Sequence, residues 1–226
     1  MKRSLPFIII LVVLLLAVGA VWKMWRANQP AAGELPLPSA SNSSSSPVAQ
    51  RRAIPGQTVT IDEYGDYQCP PCGLLYPELK KIESEYGNSV HIVFHHFPLT
   101  KIHKNAMAAA HAAEAAGRQN RFWEMHDRLY VNQKAWADEP DPRPAFITYA
   151  RDLGLNVDRF TSDMNSRDVD AKVAADFKEG EGRGITGTPT LLLDGNTLKA
   201  EATTPLGIRR GIDYLLARKA ASQPSH

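Results

Sequence analysis

Of the 226 residues in this chain only two are cysteines, and they stand three positions apart in Cys69-Pro70-Pro71-Cys72. Before the pair lies a run rich in β-branched and aromatic residues, Val59-Thr60-Ile61-Asp62-Glu63-Tyr64. After it, Leu74, Leu75, Leu79, Ile82 and Tyr86 recur at helical spacing, up to Gly87-Asn88. A strand must therefore end, turn through Gly65-Asp66-Tyr67-Gln68, and start a helix with the two cysteines at the junction. The N–H groups at a helix N-terminus are partly positive and stabilise a thiolate, which makes Cys69 the expected exposed nucleophile. Cys72, three residues on, is close enough to attack a mixed disulfide and expel its partner. Two close thiolates are also half of a metal site, so the pair alone leaves thiol exchange and soft-metal binding open. Two cysteines exclude a disulfide-dense scaffold and any four-cysteine zinc or iron–sulfur site.

The rest of the body alternates strand and helix. Val90-His91-Ile92-Val93-Phe94 reads as a second strand, closed by Pro98. A helical block follows, with pieces at 103–116, 121–130, 144–153, 157–164 and 168–178, the last ended by Gly180, Gly182 and Gly184. Thr190-Leu191-Leu192-Leu193 is a buried strand, Asp194-Gly195 a hairpin turn, and 197–201 its returning strand. Pro205 opens a last helix through Leu216, giving the order β, α, β, helical block, β, β, α. Glu63 on the incoming strand would point beneath the cysteines if buried, and Gly187-Thr188-Pro189-Thr190 places a proline where a strand begins.

Ahead of this body, Met1-Lys2-Arg3-Ser4 is short and positive, and Phe7 to Trp22 is an unbroken apolar run. Its length is about 24 Å as a helix, slightly short of a ~30 Å hydrocarbon core, with Leu5, Met24 and Trp25 making up the difference. The segment at 1–26 is read as a signal anchor that spans the membrane. A cleaved signal peptide is the alternative, with Val18-Gly19-Ala20 as its site. Residues 27–53, rich in proline and serine, read as a disordered tether reaching roughly 30 Å. Positive charges flank both ends of the segment, but a cysteine pair suited to an oxidising space puts the body outside the cytoplasm, on its periplasmic or extracytoplasmic side. With Lys plus Arg at 26 and Asp plus Glu at 24, net charge +2, nothing argues for a nucleic-acid partner.

Taken together, the strand with Glu63, the Cys69-Pro70-Pro71-Cys72 helix start, the helical insertion and Thr188-Pro189 before a strand resemble the DsbA-like branch of the thioredoxin superfamily over about 54 to 219. The resemblance implies an α/β thioredoxin-like fold at 54–220 with a helical insertion at about 103–182, followed by a short tail at 221–226. It implies a cis Thr188-Pro189 bond that leaves the Thr188 backbone free to pair with an extended substrate, and a buried Glu63 that moves protons to or from Cys72. It also implies thiol–disulfide exchange with polypeptides. The best-known oxidases of this branch carry a histidine in the dipeptide, whereas here it is Pro70-Pro71. Two potential N–H donors near the Cys69 sulfur are thereby lost, so a less acidic Cys69 and a less oxidising couple are expected.

The expected function is thus a membrane-tethered oxidoreductase that oxidises dithiols of exported or unfolded proteins. It would need no cofactor and would be re-oxidised by a membrane redox partner, a quinone-linked one being the leading candidate, since no third cysteine provides an internal relay. Reduction of particular disulfides is the alternative within this class, and a thiolate-based carrier of a soft ion such as Cu(I) the alternative outside it. No dedicated histidine metal site is expected: His103 and His111 are eight residues apart, and His95 and His96 face opposite sides of a strand. Phe122-Trp123-Met125 reads as core of the helical block, and Asp62 and Asp66 as solvated turn or edge residues.

Overall fold

Alternation of β-branched and polar residues produces the first strand, β1 (Val59–Gly65), near the start of a computed structural model that describes residues 57–222. The segment read as an anchor, the tether and the last four residues of the tail lie outside the described residues. β2 (Val90–His96) pairs parallel with β1, from Val59 opposite Val90 to Gly65 opposite His96. A parallel pair needs a crossover, which α1 (Pro70–Tyr86) supplies. Pro70 and Pro71 fill its first two positions, where a missing N–H costs nothing. β3 (Thr190–Leu193) returns antiparallel on the other side of β1, and β4 (Asn196–Thr197) closes the sheet in the order β2-β1-β3-β4.

Between β2 and β3 lies the helical block: α2 (Ala106–Gly117), α3 (Phe122–Val131), α4 (Gln133–Trp136), α5 (Arg143–Asp152), α6 (Val157–Met164) and α7 (Arg167–Gly182). The chain ends its described part in α8 (Pro205–Ala221), capped by the Thr204 side chain. α1 and α8 cover one sheet face: Leu75, Leu79 and Ile82 meet Val59, Ile61, Ile92 and Leu191, together with Ile208, Ile212 and Leu216. The opposite face is closed by Tyr64, Leu192, Phe97 and Ile185, with Phe177 of α7 stacked on Phe97 at 4.5 Å between ring centres. Small residues let α2 sit at the middle of the block, with seven alanines buried. Among the described residues no helix is long and apolar enough to cross a membrane.

Three local expectations are corrected and one short helix is added. The helix expected from His103 begins at Ala106, because His103 is drawn into a side-chain bond with Asp66 in the preceding turns. The strand expected at 197–201 stops after Thr197 and gives way to a 3-10 turn at Ala200–Ala202, although Asp194-Gly195 does form the two-residue hairpin, both at positive φ (48° and 77°). The short helix α4 was not foreseen. Finally, α7 does not stop at Gly180: that glycine lies inside the helix, where a Cβ would stand 2.8 Å from the Phe97 ring, and Gly184 (φ 76°) makes the exit.

Candidate active site

The two cysteines sit at the entry to α1, Cys69 as its N-cap residue and Cys72 fully buried in the first turn. Both are free thiols. With proline at the first two helical positions, the first N–H that the helix can aim at the Cys69 sulfur is that of Cys72. Cys69 is driven down to about 6 from the usual 9, chiefly by a hydrogen bond from the Cys72 thiol, with further help from Thr188 and from the Cys72 N–H against the opposing effect of burial. Burial pushes the Cys72 thiol well above the ordinary range, reinforced by its bond to Cys69 and by the Glu63 charge. The pair is thus polarised: one sulfur ready to be a thiolate, the other held as a thiol. Cys69 is less open than a free nucleophile was expected to be, at only 4% exposed; its sulfur lies 3.4 Å from the Thr188 carbonyl oxygen, while Pro70 and Pro71 beside it are exposed.

Thr188-Pro189 is a cis peptide bond. Glu63, central in β1 between Phe94 of β2 and Leu191 of β3, is 2% exposed, and one of its carboxyl oxygens has no hydrogen-bond partner. Desolvation raises Glu63 from 4.5 to about 8, so at neutral pH it holds a proton. It borders a cavity of about 20 Å³ shared with Tyr76, Lys80, Glu83, Trp123 and His126, room for a single water.

Several residues of this site were not legible in the sequence. Asp66, expected to be solvated, is buried; it accepts the N–H groups of Gln68 and Leu99 and the His103 ring N–H, the last at 2.6 Å. A carboxylate with three donors can stay buried, which is why the turn pattern misled. Tyr67 lies 3.0 Å from His126 Nδ1 inside a cluster with Phe94, Tyr76 and Tyr130, and burial drives His126 down to about 3, so the ring is neutral. Of the group Phe122, Trp123 and Met125, Met125 is core and Phe122 half-buried, but Trp123 is 43% exposed at the mouth of the small cavity.

One group of ligating side chains, His96, Glu114 and Asp176, brings its atoms within 4.8 Å of one another. His96 already bonds Glu114 at 2.9 Å, and the Lys172 ammonium lies 2.5 and 2.6 Å from the Asp176 oxygens, so all three side chains are already engaged within the protein. Neither cysteine belongs to this group.

A family model for thioredoxin matches residues 55–213. The chain belongs to the thioredoxin family. Among solved structures it is similar to BdbD from Bacillus subtilis in its oxidised form, with a TM-score of 0.64 and 20% identity over 73% of this chain and 91% of that one. It is also similar to the oxidoreductase DsbA from Xylella fastidiosa (TM-score 0.60, 18% identity, 75% and 90% covered) and to a thioredoxin-like oxidoreductase from Silicibacter pomeroyi DSS-3 (0.58, 23%, 73% and 89%). The fold is that of the DsbA-like thiol–disulfide oxidoreductases, a thioredoxin-like sheet with added helices. Curated relatives include a Na(+)/H(+) antiporter, NhaA 1, of Salinispora arenicola, 39% identical over 138 residues, which is 61% of this chain and 20% of the relative. A second, from Mycobacterium sp. (strain KMS), is 30% identical over 152 residues. The chain spans about a fifth of the length of these relatives, and what it shares with them is its thioredoxin-like part.

Proposed function

We propose that this member of the thioredoxin family is an extracytoplasmic oxidase of protein dithiols, working through Cys69 and Cys72. The observation that carries the reading is the placement of the pair at the start of α1, Cys69 as the N-cap residue and Cys72 buried in the first turn, which draws the first thiol down to about 6 and pushes the second up. A thiolate favoured at neutral pH stabilises the reduced pair, and a couple whose reduced form is stabilised gives up its disulfide readily.

The geometry supports the following reaction. A substrate thiolate attacks the Cys69 sulfur of the oxidised pair, a substrate–Cys69 bond forms, the Cys69–Cys72 bond breaks, and the electron pair leaves on the Cys72 sulfur. That buried thiolate takes a proton, and Glu63, protonated at neutral pH, is the donor, replenished through the small water-sized cavity. The substrate's second thiolate then attacks its own bridged sulfur, the substrate disulfide closes, and Cys69 departs as the stabilised thiolate. Two electrons have moved from substrate to enzyme. The cis Thr188-Pro189 bend beside the Cys69 sulfur supports a role for the Thr188 backbone in pairing with an extended substrate.

The apolar run at 7–22 and the proline- and serine-rich stretch after it support a tether to the membrane with the body outside the cytoplasm, and a membrane redox partner, with a quinone-linked one leading, that takes the electrons onward. The test is oxidation of a reduced, unfolded polypeptide, followed by loss of free thiols. Cys69→Ser and Cys72→Ser should each abolish turnover, since neither can carry the disulfide that the substrate thiolate attacks; offered a disulfide-bonded polypeptide instead, Cys72→Ser should accumulate a mixed disulfide through Cys69. A Cys69→Ser chain that still oxidises the polypeptide refutes the assignment. A Cu(I) carrier is the less favoured reading because the ion would have to displace the proton of the buried, raised Cys72 thiol.

A further inference from the structure

We propose that Gln133 is a positioning residue for the redox pair, clamping the backbone of Cys69 from the helical block. The inference rests on the exchange reading above and adds a residue to it. The Gln133 side-chain nitrogen donates to two carbonyl oxygens, Tyr67 at 2.7 Å and Cys69 at 2.9 Å. Its two hydrogens thus straddle Gln68, the residue before the nucleophile. The Cys69 carbonyl also receives the Gly73 N–H at 3.1 Å, so both its lone pairs are engaged. Gln68 is held in turn: its nitrogen donates to Ala137 at 2.6 Å and its oxygen accepts the Asn105 N–H at 2.6 Å.

An independent feature of α1 fits this clamp. A Cβ on Gly73 would stand 2.5 Å from the Gln133 Oε1 and 3.0 Å from its Cδ. A glycine one residue after Cys72, unfavourable within a helix, is therefore what admits the amide. The consequence for chemistry runs through backbone torsion. Cys69 sits at φ −68° and ψ 119°, outside helical values, and this sets where its sulfur lies relative to the Cys72 thiol and N–H that stabilise its thiolate. With the clamp released, the peptide after Cys69 is free to rotate and those donors are shared with solvent.

The test uses Gln133→Met, which keeps the length and bulk of the side chain and removes its N–H donors. Thiolate absorbance of the reduced full chain, followed against pH, should shift the Cys69 titration upward by about one unit from about 6. Exchange of the reduced chain with a strained disulfide reagent at pH 6 should slow by about twofold, the fall in thiolate fraction outweighing the gain in nucleophilicity. Gly73→Ala approaches from the other side: Gln133 is intact but displaced, and alanine is the better helix former, so lost helix stability cannot explain a shift. It should give the same upward titration, and the double variant no further one. If both single variants titrate with the parent, whatever happens to their melting temperatures, Gln133 is structural only and the proposal is overturned. If the parent itself shows neither a low titration nor exchange, the exchange reading falls, and this inference with it.

Discussion

Replacing Glu63 by glutamine exchanges a buried carboxyl for a group that cannot ionise, in nearly the same volume. In the folded chain Glu63 keeps its proton up to about 8, whereas the unfolded chain releases it near 4.5. Between those values the folded state binds the extra proton, so this group makes stability fall as pH rises, and the loss is complete only above about 8. At about 1.4 kcal/mol for each pH unit, the whole window is worth about 5 kcal/mol, or about 10 °C or more in melting temperature for a domain of this size. Cys69 works in the opposite direction, since its lowered titration adds stability as pH rises from about 6 to 9. That contribution is common to parent and variant and cancels in their difference. Thermal melts of the two reduced proteins should therefore coincide near pH 4 and diverge steadily up to pH 8, with the glutamine variant the more stable. A difference that does not change with pH shows that Glu63 ionises normally, and the proton-donor role fails with it.

Pro71→His should bring an imidazolium beside the Cys69 sulfur and carry its titration below about 6; an unchanged value contradicts the account of why the double proline leaves this thiol only moderately acidic. Thr188→Val removes a buried hydroxyl that has no hydrogen-bond partner while Cys69 is a thiol and is available to the thiolate, and should raise the Cys69 titration by about half a unit to one unit in the same absorbance assay, with little change in melting temperature. Gly180→Ala should cost about 1–3 kcal/mol in urea unfolding despite alanine's better helix propensity, because its Cβ would meet the Phe97 and Tyr64 rings at 2.8 and 3.0 Å; a stabilised variant contradicts the packing of α7 on the sheet.

What could be read in advance was whatever local pattern determines. The strand before Cys69, the helix after it and the Asp194-Gly195 hairpin each follow from residues adjacent in the chain, and each forms. What escaped depends on partners distant in sequence. Asp66 looks like a turn acid until Leu99 and His103, more than thirty residues away, supply its donors. Gly180 looks like a helix end until Phe97 is laid against it. Gln133 is one glutamine on a four-residue helix, and nothing in its neighbourhood points to the Cys69 carbonyl 64 residues earlier. Hydrogen bonds of this kind have no sequence period, so they are visible only once the helical block is folded over the redox motif.

The reduction potential of the Cys69–Cys72 couple, measured on the purified chain at equilibrium with glutathione, tests the central claim most directly. Cys69 at about 6 is more acidic than the ~7 of thioredoxin but less so than the ~3.5 of DsbA, which places the couple between theirs. At about 30 mV for each pKa unit the account predicts a value between about −240 and −195 mV, that of a donor of disulfides weaker than DsbA at about −120 mV. A value near −270 mV, where thioredoxin lies, contradicts the oxidising direction and makes the protein a reductant of disulfides.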